Sequence, residues 1–136
     1  MKKEKVILLC HGKWGKALLM DVKKHFGLFG NYEAMSLDDD VSITSYIEKL
    51  IESIKGYDVV LLTDLFPSST STIATRIALS EHVQALSGLS LQTLLLMDAV
   101  WSEEGFQSIV KHNDKFNEQI CIDLVERFNK NIREGK

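Results

Sequence analysis

The sequence predicts an α/β fold: a doubly wound, mostly parallel open sheet with helices on both faces, in three α/β/α layers. Short apolar runs typical of strands alternate with segments whose apolar residues recur every three to four positions, as in amphipathic helices. The run over residues 58–64 is apolar on both faces, which is typical of a central parallel strand. With right-handed crossovers, the predicted strand order is 2-1-3-4.

Composition predicts one soluble domain over residues 1–136. The chain has 136 residues, 45% hydrophobic and 26% charged, which suits a single core. No apolar stretch approaches the roughly 20 residues that span a bilayer, and the first apolar run is too short for a signal peptide. We therefore expect a cytoplasmic protein without membrane insertion.

The charge pattern argues against a nucleic-acid partner, since the net charge is −3. Positive charge is nevertheless concentrated near the amino end, where it favours either an acidic protein partner or a solvated face. The lysines concerned are Lys2, Lys3, Lys5, Lys13, Lys16, Lys23 and Lys24.

The first strand covers residues 6–12, Val-Ile-Leu-Leu-Cys-His-Gly, and a helix with apolar positions from Trp14 to Phe26 follows it. A second strand over residues 32–37 leads into Asp38-Asp39-Asp40. Three neighbouring carboxylates suggest a metal site, but no further ligands follow at a recognisable spacing, so we predict a solvated turn.

The later elements continue the same alternation. A helix capped by Ser42 and closed by Gly56 comes first, then a strand over 58–64, a helix after the hydroxyl run 68–72 and a strand over 82–87. A helix capped by Ser90 follows, and then a connection over 98–105 and a helical turn or two over 106–110. The last element is a long amphipathic helix capped by Asp114 and reaching Ile132.

The two cysteines, Cys10 and Cys121, have no metal-ligand spacing and do not suggest a disulfide framework, which fits a reducing compartment. Cys10 precedes His11, but successive strand residues point to opposite faces, so the two side chains should not meet. We predict that Cys10 is buried in the core.

The predicted site lies where the first and third strands end, at the switch point of the sheet. These ends carry His11 and Asp64. If Asp64 accepts a hydrogen bond from Nδ1 of His11, then Nε2 faces the crevice and can attack a phosphoryl group. The run from Ser68 to Thr72 would offer helix N–H groups and hydroxyls to phosphate oxygens. The alternative is purely structural: His11 ends a strand with a satisfied hydrogen bond, Asp64 caps the next element, and the hydroxyl residues cap a helix.

The other histidines lack a strand-end carboxylate. We expect His25 to be a cation at a helix carboxyl end, and His82 and His112 to lie in surface turns.

The segments 6–12, 59–66 and 86–91 together resemble the IIA domain of the mannose/fructose/sorbose family of the bacterial phosphoenolpyruvate-dependent sugar phosphotransferase system, and the resemblance covers nearly the whole chain. In that family the histidine after the first strand accepts a phosphoryl group from the phosphocarrier protein HPr and passes it to a IIB domain. His11 matches this histidine, and Asp64 matches the carboxylate that orients it. The resemblance implies a phosphotransferase for sugar transport that works through a phosphohistidine, forms a homodimer and needs no metal or organic cofactor.

One departure from the family bears on the phosphate site. The family usually shows Gly-Gly-Ser-Pro after the aspartate, where this chain has Pro67-Ser68-Ser69-Thr70. Glycine normally lets backbone approach a phosphate closely, so here the hydroxyls of Ser68, Ser69 and Thr70 are the expected phosphate ligands. The replacement also leaves open a divergent regulatory or protein-binding module that lacks transfer.

A histidine phosphatase is a further alternative, because such enzymes also place His-Gly at the end of a first strand. They carry an arginine immediately before the histidine to hold the phosphate, whereas this chain has Cys10 there.

Overall fold

Strand β1 (Lys3–His11) lies inside a five-stranded sheet in the computed structural model, which describes residues 2–111 and 122–135. The strand order is β2-β1-β3-β4-β5, and the first four strands are parallel, which confirms the predicted order 2-1-3-4. The other elements are α1 (Trp14–His25), β2 (Tyr32–Leu37), α2 (Ile43–Ile54), β3 (Tyr57–Thr63), α3 (Ser69–Glu81), β4 (Gln84–Ser87), α4 (Leu91–Glu104), α5 (Ser108–Lys111), β5 (Ile122–Asp123) and α6 (Leu124–Arg133).

Each face of the sheet carries its own core. In β1, Val6, Leu8 and Cys10 point into one core with α1 and α4, and Ile7 and Leu9 point into the other with α2 and α3. All five side chains are at most 1% exposed. Burial on both faces explains why β1 is a continuous apolar run, and it confirms that Cys10 is a core residue on the face away from His11.

Serine caps fix the starts of three helices. Ser42 Oγ accepts a hydrogen bond from the Ser45 amide (3.0 Å), and Ser90 Oγ accepts one from the Thr93 amide (3.0 Å). Ser68 caps α3 in the same way through the Ser71 amide. These contacts satisfy helix N–H groups that otherwise lack a partner, and they confirm the caps expected at Ser42 and Ser90.

The prediction of a connection over residues 98–105 is wrong, because α4 continues to Glu104. Met97, Val100 and Trp101 are buried and hold this part of the helix against the sheet. The Asp98 carboxylate accepts hydrogen bonds from the Gly30 amide (2.9 Å), the Phe29 amide and the Tyr32 hydroxyl (2.8 Å). These contacts explain why an acidic residue lies inside this helix: its carboxylate is the hydrogen-bond acceptor for the loop before β2 and for Tyr32.

The starts of the fourth strand and of the final helix also differ from the prediction. The fourth strand begins at Gln84 rather than at residue 82, because His82 ends α3 in the left-handed conformation with φ of 56°. The final helix begins at Leu124, where Asp123 Oδ1 accepts from the Glu126 amide (3.0 Å). Residues 122–123 pair antiparallel with β4, so the helix predicted from Asp114 is not continuous. The part of the prediction over residues 114–121 lies outside the described residues.

The acidic run over residues 38–40 is exposed in part, and the amino-end lysines differ in burial. Residues 38–40 form a turn after β2 in which Asp39 and Asp40 are exposed. Among the amino-end lysines, Lys5 is buried, and its Nζ binds Glu33 Oε1 (3.0 Å) and Ser53 Oγ (2.9 Å). The other six lysines are exposed. None of the helices in the described residues is both long and apolar enough to cross a membrane.

Candidate active site

His11 and Asp64 meet at the carboxyl edge of the sheet. His11 is the last residue of β1, and Asp64 directly follows β3, its neighbour in the sheet. The His11 Nδ1 atom lies 2.9 Å from Asp64 Oδ2 and 3.1 Å from Oδ1. Gly12 then turns the chain into α1 with φ of 57°, a conformation that glycine adopts without a steric penalty. The predicted histidine–carboxylate pair is thus present in the structure.

Two more donors hold the Asp64 carboxylate. The His11 backbone amide donates to Oδ2 (2.8 Å), and the Thr70 hydroxyl donates to Oδ1 (2.8 Å). Burial acts to raise the pKa of Asp64, but the hydrogen bonds from the His11 amide, the His11 ring and Thr70 outweigh it and hold the pKa below its ordinary value. Asp64 is therefore an anion at neutral pH although its side chain is only 4% exposed.

The charge of Asp64 determines the tautomer of a neutral His11 ring. An ionised carboxylate accepts hydrogen bonds but cannot donate them, so Nδ1 carries the proton and Nε2 carries the lone pair. The His11 side chain is 42% exposed, and Nε2 has no hydrogen-bond partner within the part of the chain that the structure describes. This arrangement leaves a nitrogen nucleophile open to a partner from outside.

The hydroxyl residues predicted to bind phosphate occupy three different environments. Thr70 is fully buried and directed at Asp64. The Ser68 hydroxyl takes part in the α3 cap and donates to the Leu65 carbonyl (2.6 Å). Ser69 is exposed in the first turn of α3, and its hydroxyl and amide make no hydrogen bond among the described residues.

The first turn of α3 has the chemistry of an anion site next to this pair. The amides of Ser69 and Thr70 precede the first intrahelical hydrogen bond, and neither has a partner among the described residues. Free N–H groups at a helix start favour negative charge. Because Thr70 also binds Asp64, this helix start and the carboxylate are held in one unit.

The remaining candidates lie apart from this unit. Burial, and secondarily the charge of Asp64, raises the pKa of Cys10 to about 12, so its thiol is neutral and unsuited to a nucleophilic role. His25 is exposed in the last turn of α1 as predicted, and His82 is exposed at the end of α3. His112 and Cys121 lie outside the described residues. No group of three or more His, Cys, Asp or Glu side chains able to hold a metal occurs among the residues described.

Exposed apolar side chains share the sheet edge with His11. Each lies in the segment that follows a strand or begins a helix at the carboxyl edge: Trp14 (45% exposed), Ile43 (54%), Leu65 (58%) and Leu91 (41%). A partner that reaches His11 at this edge would therefore meet exposed apolar side chains.

Comparison with known proteins agrees with the sequence resemblance. A family model described as the PTS system fructose IIA component matches residues 5–113. No curated protein matches the sequence.

Several solved structures share the fold. The phosphotransferase system component EIIA from Streptococcus agalactiae is similar with a TM-score of 0.70 at 18% identity, over 79% of this chain and 86% of that one. The mannose/sorbose-specific IIA subunit from Enterococcus faecalis has a TM-score of 0.70 at 17% identity, over 86% and 91%. A sigma-54 interaction domain protein from Enterococcus faecalis has a TM-score of 0.63 at 17% identity, over 87% and 96%.

The family match covers most of the described sheet, including both β1 with His11 and the loop with Asp64. The chain belongs to the EIIA-man family of phosphotransferase system components.

Proposed function

We propose that this protein is a phosphoryl carrier that accepts a phosphoryl group on His11 from phospho-HPr and passes it to a IIB domain during sugar uptake. The observation that carries the proposal is the hydrogen bond between His11 Nδ1 and the buried, ionised Asp64, which leaves Nε2 as a free nucleophile. The pairing of a nucleophile with an orienting group is the usual arrangement for covalent catalysis.

The transfer step follows from this geometry. Nε2 of His11 attacks phosphorus and forms a P–N bond while the bond between phosphorus and the donor's leaving group breaks. The proton on Nδ1 stays in its hydrogen bond to Asp64, whose negative charge balances the positive charge that the ring gains. Attack by the IIB acceptor on the same phosphorus then breaks the P–N bond and restores the neutral ring.

We assign the phosphate oxygens to the first turn of α3. The amides of Ser69 and Thr70 and the hydroxyl of Ser69 are the free donors there. The other two hydroxyls support phosphate binding indirectly: Ser68 caps α3, and Thr70 holds Asp64 in place. Hydroxyl and amide donors at a helix start thereby replace the glycine backbone usual in the family.

The family supplies the expected partners, and the exposed apolar residues near His11 offer them a surface. Trp14, Ile43, Leu65 and Leu91 offer apolar contacts to HPr and to the IIB domain at the edge that carries His11. The family resemblance also leads us to propose that the protein is cytoplasmic and forms a homodimer. Sedimentation velocity on the purified chain tests for the dimer.

The test is the intact mass of the protein after incubation with phosphoenolpyruvate, enzyme I and HPr. Wild type should gain one acid-labile phosphoryl group, His11→Ala none, and Asp64→Ala much less within the same time. His25→Ala is the matched control, because His25 is an exposed histidine of α1 without the strand-end carboxylate. Full labelling of His11→Ala would refute the assignment of the nucleophile.

A second candidate function is a regulatory module that keeps the fold but not the relay. Pro67 and Ser68 in place of two glycines favour it, as does the similarity to a protein named for sigma-54 interaction. Absence of labelling in wild type, with HPr itself labelled in the same reaction, would favour this function over transfer.

A further inference from the structure

A groove separate from the His11 site runs between α3 and α6, with a volume of about 430 Å³. Its apolar lining comes from the loop before α3 and from both helices: Phe66, Pro67, Leu79, Leu124 and Phe128. Leu124 is fully buried as the floor, whereas Leu79 and Phe128 are about 40% exposed at the rim. The volume falls within the range of small-molecule sites, about 300 to 1,000 Å³.

The charges in this groove are positive among the residues that the structure describes. Within residues 2–111 and 122–135, Arg76 and Arg127 are the ionisable residues that line it, and no carboxylate does. Neither arginine makes an ion pair within residues 2–111 and 122–135. The Arg127 guanidinium lies over the Phe66 ring, 5.5 Å from its centroid, so the cation is held against the apolar end of the groove.

The hydroxyl groups in the lining are already used. Ser71 and Thr72 donate to the Ser68 carbonyl (3.0 and 2.9 Å), and Thr75 donates to the Ser71 carbonyl (2.8 Å). The donors left for a ligand are the two guanidinium groups and the Asn131 amide. An arginine fork matches the oxygens of a carboxylate or a phosphate.

We propose that the groove between α3 and α6 binds a small organic anion, with its apolar body against Leu79, Leu124 and Phe128 and its anionic head between Arg76 and Arg127. An anion complements the charge of the two arginines that line the groove, which a neutral apolar ligand does not. A second copy of this chain is disfavoured as the occupant, because a twofold contact would place the same arginines against each other.

Octanoate is the probe, followed by amide chemical shifts of the ¹⁵N-labelled full chain. Saturable shifts should be confined to α3, α6 and the loop before α3. Octanol has the same body without the charge and should bind at least tenfold more weakly. Sulfate has the charge without the body and should fail to saturate the same shifts at concentrations at which octanoate does.

Variants separate the contribution of the arginine charges from nonspecific hydrophobic binding. Arg76→Gln and Arg127→Gln should each weaken octanoate binding about tenfold, as expected for the loss of one charge-assisted contact in a half-open groove. Arg133→Gln removes an exposed arginine of α6 that does not line the groove and should leave the affinity unchanged. Leu79→Asp places a carboxylate at an exposed rim position and should abolish binding, while melting curves confirm that each variant is folded.

Three results would overturn the proposal. One is equal affinity for octanol and octanoate, and another is an equal loss in Arg133→Gln. The third is a chain dimer that Leu79→Asp dissociates, combined with no octanoate binding to wild type, because a second copy would then fill the groove. None of these results depends on whether His11 is phosphorylated.

Discussion

Replacing Thr70 with valine removes one of the three donors to Asp64 and keeps the shape of the side chain. The bond is 2.8 Å long and fully buried at the threonine, and the carboxylate is 4% exposed, so water cannot readily replace the hydroxyl. Hydrogen bonds to charged groups stabilise proteins by about 1.5 to 3 kcal/mol. We expect Thr70→Val to lower the free energy of unfolding by this amount at pH 7.

The size of the chain converts this loss into a melting shift. An unfolding entropy of about 2.1 cal/mol/K per residue gives roughly 0.29 kcal/mol/K for 136 residues. Thr70→Val should therefore melt about 5 to 10 °C below wild type. Differential scanning calorimetry and urea denaturation measure the two quantities independently.

The same bond predicts how the difference depends on pH. Because the pKa of Asp64 is lowered from 3.8 in the folded state, the carboxylate's contribution is fully present above about pH 5 and is lost as the pH falls through the lowered pKa. Thr70→Val removes one cause of that lowering. The gap between wild type and variant should be constant from pH 5 to pH 8 and should shrink below pH 4.

Thr72→Val is the matched control, since the Thr72 hydroxyl is exposed and donates to a neutral carbonyl (2.9 Å) of the same helix. It should cost about 0.5 to 1 kcal/mol and show no change in the gap below pH 4. If the two variants were destabilised equally at every pH, the reasoning that Thr70 acts through the charge of Asp64 would be refuted.

Three further predictions concern other parts of the molecule. In a Cys121→Ser background, Cys10 should react with iodoacetamide at pH 8 only at the rate of unfolding, because it is 1% exposed and its thiol pKa is about 12; rapid modification of native protein would contradict this. Gly15→Ala should lower stability in urea by about 1 to 3 kcal/mol, since the new Cβ overlaps the Cys10 side chain, and a second change of Cys10 to glycine should recover part of the loss. Asp98→Ala should lower the free energy of unfolding by about 2 to 4 kcal/mol, because two backbone amides and the Tyr32 hydroxyl lose their acceptor. The variant should still accept phosphoryl groups as well as wild type per folded molecule. A fall in acceptance would count against a purely structural role for Asp98.

Much of the fold could be predicted from the sequence because the central strands β1 and β3 are apolar on both faces and because serine caps mark three helix starts. The extent of α4 could not, since apolar residues such as Leu91 and Leu95 lie outside its buried face and obscure its period, and since Asp98 interrupts the apolar pattern for a contact with a distant loop. The pairing of His11 with Asp64 followed from strand order and from the resemblance. The His11 amide contact with Asp64 could not be predicted, because backbone donors leave no mark in the sequence.

The attachment of Asp64 separates the groups that hold the His11 ring from the nitrogen that is open to a partner. Two of its three hydrogen bonds, from the His11 amide and the Thr70 hydroxyl, do not involve the imidazole. The position of the carboxylate is therefore fixed independently of the imidazole, so the acceptor that orients Nδ1 stays in place whatever binds at Nε2. In the proposed function, both transfer steps then take place at Nε2 with the ring in one orientation, and neither step requires the backbone that supports Asp64 to move.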